Sequence, residues 1–405
     1  MSNPWTKTTL GEICDQSQGV IKTGPFGSQL HKSDYTETGI PVVMPKDITS
    51  GKVKTKGIAR ISDFDATRLS KHRLNIGDIV YGRRGDIGRQ ALITEREQGW
   101  LCGTGCLRIN LGNKVVDPMF LHHYLRQEDV IHHISNQAVG ATMPNLNTKI
   151  LRAIPIRHPD LPTQKRIADI LSAYDDLIEN NLRRIAILEE MAQSLYREWF
   201  VHFRFPGHEG TAFVDSELGK SPKGWAVKKL GAIAEDLRRG IPKGKLSQQT
   251  PYVGLEHIPR KSLALDDWEM VTELGSNKLI FHSGEVLFGK IRPYFHKVSV
   301  APFEGICSAD TIVIKGKKSE HHSLVTAIVS SEAFVAHASA TANGAKMPRA
   351  NWKVLVDYPI VQPPKDLLKQ FSSFFQKAID QQQVLIRQNQ NLRKTRDLLL
   401  PKLLS

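Results

Sequence analysis

Much of what this chain does can be approached from what it lacks. No apolar run approaches the ~18 residues needed to span a membrane. The N-terminus, Met1-Ser2-Asn3-Pro4-Trp5, has none of the basic-then-apolar form of a secretory signal. Cysteine is scarce: Cys14, Cys102, Cys106 and Cys307 are the whole complement, which without a signal reads as reduced thiols in a cytoplasmic protein. Catalytic signatures are missing as well. An adenine methyltransferase needs an Asp/Asn-Pro-Pro-aromatic loop, whereas Pro363-Pro364 lies between Gln362 and Lys365. No Gly-rich strand-to-helix fingerprint marks a nucleotide or methyl-donor pocket. Gly284 to Gly289-Lys290 has phosphate-loop spacing, but Ile291 stands where a Ser or Thr must bind magnesium, and Glu285-Val286-Leu287-Phe288 reads as a strand. No nuclease-like Asp…Glu-x-Lys arrangement is present. Cys102 and Cys106 with His122-His123 and His132-His133 resemble zinc ligands in type, yet the second half of the chain keeps only Cys307 in register. No catalytic residue, metal or cofactor site is therefore expected.

Acidic residues are in short supply relative to basic ones. Lys and Arg number 55 against 41 Asp and Glu, a net charge of +14 that favours polyanionic partners such as nucleic acid or an acidic membrane surface. The remaining composition, 40% hydrophobic and 24% charged, is that of a globular protein.

What the chain does have is a repeat. Gly140-Ala141-Thr142-Met143-Pro144-Asn145-Leu146-Asn147, continuing to Ile156, returns as Gly344-Ala345-Lys346-Met347-Pro348-Arg349-Ala350-Asn351, continuing to Ile360; nine of 17 positions are identical at an offset of 204. Trp5 with Leu10-Gly11-Glu12-Ile13 returns as Trp225 with Leu230-Gly231-Ala232-Ile233, at an offset of 220. Short strands are expected at Ile40–Pro45 and Thr250–Leu255, then at Gly77-Asp78-Ile79-Val80-Tyr81 and its echo Gly284-Glu285-Val286-Leu287-Phe288. Each copy is an α+β domain followed by a helix of some 35 to 40 residues, whose apolar residues recur in steps of three and four.

About 37 helical residues span roughly 55 Å. Two such helices are expected to pair as an antiparallel coiled coil, with Asn180-Asn181 and Gln381-Gln382-Gln383 as polar seam residues that fix register. Basic residues recur at the turn after the main strand: Arg83, Arg84 and Arg89 in the first copy, Lys290 and Arg292 in the second. Lys22 and the pair Arg238-Arg239 mark a second basic loop. Arg and Lys on turns serve DNA readers as phosphate clamps and as guanine-edge contacts, so these eight residues are the candidate DNA-binding set. Two readers on antiparallel helices would meet a duplex one to one and a half turns apart, at about 34 Å per turn. Their target would be asymmetric and split by an unread spacer.

In all these motifs, in order and twice over, the chain resembles the specificity subunit of type I restriction–modification enzymes. Gly24-Pro25-Phe26-Gly27-Ser28-Gln29-Leu30, the helix end Ser194-Leu195-Tyr196-Arg197-Glu198-Trp199-Phe200 and the tail Leu398-Leu399-Leu400-Pro401 belong to the same pattern. The resemblance implies two target recognition domains, 1–160 and 206–362, alternating with two conserved helical regions, 161–205 and 363–405. Each domain would read half of a bipartite DNA site. It also implies partners: two adenine methyltransferase subunits and the motor–nuclease restriction subunits, which would carry S-adenosylmethionine, ATP and magnesium. Asn147 and Asn351 are expected to cap the join between domain and helix rather than touch bases. The alternatives are a subunit of a type II-like cutter-modifier, an orphan DNA-binding protein, or a scaffold whose coiled coil binds other proteins.

Overall fold

A computed structural model of the chain describes residues 5–84, 88–113, 115–137 and 145–404. Residues 1–176 with 393–405 form one compact unit and residues 177–392 another. Each is described by itself.

Unit one is built on an antiparallel sheet of Val20–Thr23, Cys106–Asn110, Ile79–Gly82 and Gln90–Leu92, in that order. Ile79–Gly82 is buried throughout, as a strand covered on both faces must be. Its side chains alternate: Ile79 and Tyr81 join Leu107 and Ile109 under the helix Pro118–Tyr124, while Val80 joins Val43, Ala91 and Cys106 on the other side. Asp117 starts that helix by accepting from the amides of Met119 and Phe120 at 2.9 and 3.0 Å. A second sheet runs Leu101–Cys102, Ile40–Val43, Ala59–Ile61, Tyr35–Thr36, its first pair parallel. Thr6–Thr9 pairs with Pro155–His158.

Unit two repeats the plan. Its central sheet is Ala234–Asp236, Thr311–Gly316, Val286–Gly289, Val298–Val300. Ile79 faces Ile109 in unit one, and Val286 faces Ile314 here, so the repeat extends to strand register. A five-stranded sheet again contains one parallel pair, Gly244–Val253 with Gly305–Cys307. The buried helices Ser319–Val329 and Glu332–Ala340 cover the main sheet. Among the described residues no single helix is long and apolar enough to cross a membrane.

The long helices are Leu161–Tyr196, extended by a wider turn through Val201, and Lys365–Leu403. Buried side chains on the first recur every seven residues: Leu171, Ile178, Ile185, Ala192, Trp199. On the second, Leu368, Phe375, Gln382 and Asn389 do the same. A seven-residue repeat is the signature of a coiled-coil seam. Within unit two, Trp199 lies against Phe371, Ile185 clusters with Leu385 and Ile386, and Asn181 donates to Asn389 at 2.9 Å. Partners fall in number as the first helix rises, so the helices run antiparallel.

Two readings of the helices need correction. Ile170, Leu177, Leu182 and Met191 belong to the apolar pattern but are exposed, Met191 by 62%. Steps of three and four admit a stripe wider than the single seam that packs. Of the expected polar seam residues, Asn181 and Gln382 are buried whereas Asn180 and Gln381 are exposed, and the partner of Asn181 is Asn389. Gln382 is buried, but its Nε2 has no partner among the described residues.

Candidate nucleic-acid interface

In each unit the turn after the main strand is pinned to the segment before a capping asparagine, so the two most repeated motifs form one corner. In unit one, Arg83 donates its amide to the Gly105 carbonyl at 2.8 Å and accepts from the Leu146 amide at 2.9 Å. Its Nε donates to Asn145 Oδ1 and to the Leu146 carbonyl, both at 3.0 Å. In unit two, Lys290 donates its amide to the Asp310 carbonyl at 3.0 Å and accepts from Ala350 at 2.8 Å. Arg84 bridges to Asn145 as Ile291 bridges to Arg349. The backbone bonds repeat while the side chains differ.

The asparagines act as caps. Asn147 Oδ1 accepts from the Ile150 amide at 2.9 Å and Asn351 Oδ1 from Lys353 at 3.1 Å. The helices they start are short, Thr148–Arg152 and Trp352–Leu355, and lead into the strands ahead of the long helices. The Gly140–Pro144 segment and Gly85-Asp86-Ile87 lie outside the described residues.

At the other end of the main strand, just before its first residue, each unit holds a buried carboxylate. Asp78 accepts from the Asn75 amide at 2.8 Å and from Asn110 Nδ2 at 2.6 Å, with Arg108 at 3.7 Å. Burial pushes its pKa up, against the pull of those bonds. Glu285 takes the equivalent place: it accepts from the His282 amide at 2.9 Å, pairs with Arg239 and has Lys315 at 4.0 Å.

The structure distributes the eight candidates unevenly. Arg84 and Arg89 are exposed beside Arg83. Lys22 is exposed but lies within the strand Val20–Thr23, opposite Arg108, and is not a loop residue. Leu237 sits at its equivalent position in unit two, bonded to Val313 at 2.7 Å, so Lys22 and Arg238-Arg239 do not recur in register. Unit two gathers its set more tightly. Arg238 Nε donates to Asp236 Oδ2 at 2.8 Å. Lys290 Nζ donates to the Ala309 carbonyl at 2.5 Å. Both line a cavity of about 360 Å³ with Asn343, Arg349 and Asn351. Arg292 adopts φ +49° and donates its amide to the Pro348 carbonyl at 2.7 Å. Arg239 turns inward to Glu285.

Sequence reasoning missed Arg349, Asn145 and Asp236. The signal for the first two was present, since they occupy the same position of the repeated motif at the 204 offset. Asp236 carried none, because its role depends on the strand end that brings it to Arg238. The imagined zinc ligands are engaged otherwise: His122 Nδ1 pairs with Gln90 Oε1 at 2.9 Å, His123 Nε2 with Ser172 Oγ at 3.1 Å, and burial raises the Cys102 thiol to about 12.

Each unit thus carries its own set of polar side chains on one repeated scaffold, and known proteins are similar to this chain. Residues 2–190 match the family described as the type I restriction modification DNA specificity domain. The MjaIX type I restriction enzyme specificity subunit of Methanocaldococcus jannaschii is 24% identical over 393 residues, covering 91% of this chain and 87% of its own. The EcoDI specificity subunit of Escherichia coli is 25% identical over 276 residues, 62% of this chain and 61% of its own. The crystal structure of the S subunit of a type I restriction–modification system from M. genitalium shares the fold, with a TM-score of 0.60 at 15% identity over 100% of this chain and 96% of that one. The first half of the chain thus matches the type I specificity domain, and nearly the whole of it is similar to a type I specificity subunit.

Proposed function

We infer that this chain gives a type I restriction–modification enzyme its DNA sequence specificity by reading the two halves of an asymmetric, split site with different modules. The observation that carries this reading is the repeated corner. The backbone bonds at Arg83–Leu146 and Lys290–Ala350 correspond, whereas Arg84 and Asn145 in one module are replaced by Ile291 and Arg349 in the other. A common frame with different side chains reads different bases. The recognition modules are residues 1–160 and 206–362, and the helical regions 161–205 and 363–405 set the unread spacer.

The chain is the non-catalytic member of its complex. Two adenine methyltransferase subunits and the motor–nuclease subunits assemble on it in the cytoplasm and bring S-adenosylmethionine, ATP and magnesium. Of the eight candidates, Lys22, Arg83, Arg84, Arg89, Arg238, Lys290 and Arg292 remain the proposed DNA-contacting set. Arg239, tied to the buried Glu285, supports them. Similarity to type I specificity subunits over nearly the whole chain favours the type I role over a cutter-modifier subunit, an orphan binder or a scaffold.

The test is methylation mapping. The chain is co-expressed with its methyltransferase partner in an unmethylated host, and modified adenine is located by sequencing. A split asymmetric motif is expected. A continuous palindrome, or no modification by a methyltransferase shown active otherwise, would overturn the reading.

A further inference from the structure

We propose that Arg238 is the guanine reader of the second module, that Asp236 aims it, and that Lys290 and Arg349 hold the neighbouring backbone phosphate. The proposal rests on the reading of the chain as a DNA specificity subunit, and adds a role for each of four side chains.

Arg238 has a side chain that is 72% exposed, while that of Asp236 is only 6% exposed. Asp236 ends the edge strand Ala234–Asp236 and is held there by pairing with Ile314. Its Oδ2 accepts a hydrogen bond from Arg238 Nε at 2.8 Å. A guanidinium tied at Nε has its plane fixed and keeps its two terminal nitrogens for a ligand. That pair matches O6 and N7 of guanine in the major groove, the commonest specific contact between protein and DNA. An untethered exposed arginine would lose rotamer freedom on binding, and the brace removes part of that cost beforehand. Arg239 is the contrast: one residue on, its partner is the buried Glu285, and its side chain is only a third exposed.

The second observation is an atom without a partner. Asp236 Oδ1 is buried, and no described residue donates to it. Asp236 lines the same cavity as Arg238, Lys290 and Arg349. The described bonds of the Asp236 side chain therefore go to Arg238, as an aiming residue requires. Lys290 and Arg349 approach one carboxylate, Asp310, each at 3.8 Å. Three cations against two carboxylates leave the cavity with a net positive charge, which suits a single phosphate beside the base that is read.

The experiment uses the full-length chain assembled with its methyltransferase partner. Methylated motifs are mapped for the wild type and for Arg238→Ala, Arg238→Lys, Asp236→Ala, Lys290→Ala and Arg349→Ala. Arg238→Ala and Asp236→Ala are expected to relax one guanine position in one half-site and to leave the other half-site and the spacer unchanged. Lys290→Ala and Arg349→Ala should lower methylation at all sites alike. In binding assays, 7-deazaguanine at that position removes N7 and should weaken the wild type by ~5- to 150-fold, with no such loss for Arg238→Ala. This assay also decides the matter if a variant no longer methylates.

A wild type indifferent to 7-deazaguanine at every guanine of both half-sites, or an unchanged motif in Arg238→Ala, would overturn the proposal. A melting temperature lowered in Asp236→Ala with an unchanged motif would reduce Asp236 to a structural residue. A wild type without any split motif would sink the proposed function itself, a separate outcome.

Discussion

Replacing Arg239 by Ala removes the closer of the two cations beside the buried Glu285 and leaves Lys315 at 4.0 Å. A poorly compensated buried charge is expensive, so the expected loss is roughly 2–4 kcal/mol, discounted because Arg239 is a third exposed. Arg238→Ala, one residue earlier and largely exposed, should stay within about 0.5 kcal/mol. Urea midpoints of the two variants check the contrast. The sequence showed two adjacent arginines and no reason to separate them. Their difference comes from where the strand Ala234–Asp236 ends and from the carboxylate it presents, neither of which composition or spacing contains. His123 shows a similar gap: in the sequence it is one of a pair of imagined ligands, whereas in the structure it is buried against Ser172. Burial, with help from Arg126, lowers its pKa from 6.5 to about 4. The unfolded chain binds this proton near 6.5 and the folded chain does not, so its contribution is intact above pH 6.5 and is lost as pH falls from there towards 4. The full loss is on the order of 3 kcal/mol. Urea unfolding of unit one at pH 7.5 and pH 5 should show the decline, and His123→Gln should flatten it.

Among the elements, strands and helices were the most legible, because burial imposes period and length. Val286–Gly289 and Ile79–Gly82 are continuous apolar runs bounded by turn formers, and they form central strands. The coiled coil was legible as an architecture but not as a register. Register depends on which of several polar residues finds a partner across the seam. Asn181 Nδ2 donates to Asn389 Oδ1 across that seam at 2.9 Å. Asn181→Leu alone leaves Asn389 buried and unpaired, with an expected cost of about 1–3 kcal/mol. Asn181→Leu with Asn389→Leu should recover that loss or exceed the wild type in stability, while loosening helix alignment. A double-mutant cycle on urea midpoints measures the coupling, and a cycle energy near zero would exclude the pair as a register device.

At the scale of the whole molecule, two modules are legible in the sequence itself, since a motif that returns at a fixed offset needs no structure to be seen. What it could not announce is where the last residues of the chain belong. Residues 393–405 are part of unit one. Leu400 and Leu404 are buried in the core that holds Phe120, Leu151 and Leu171. Asp175 accepts from Arg126 at 2.6 Å and from Arg396 at 2.5 Å, which ties the chain's final helix to the first module. Linear reading assigns the tail to the second module, because sequence order carries no information about a contact some 220 residues away. The consequence is measurable. Leu400→Ala with Leu404→Ala should cost unit one several kcal/mol, at ~2–5 for each buried leucine lost. Hydrogen exchange should then speed up in Ile79–Gly82 and Pro118–Tyr124, while Val286–Gly289 and Ser319–Val329 keep their protection. For the same reason, a fragment of residues 1–176 should be less stable than one in which 393–405 is fused back by a flexible linker. Equal stability of the two fragments would show that the tail is dispensable to that core.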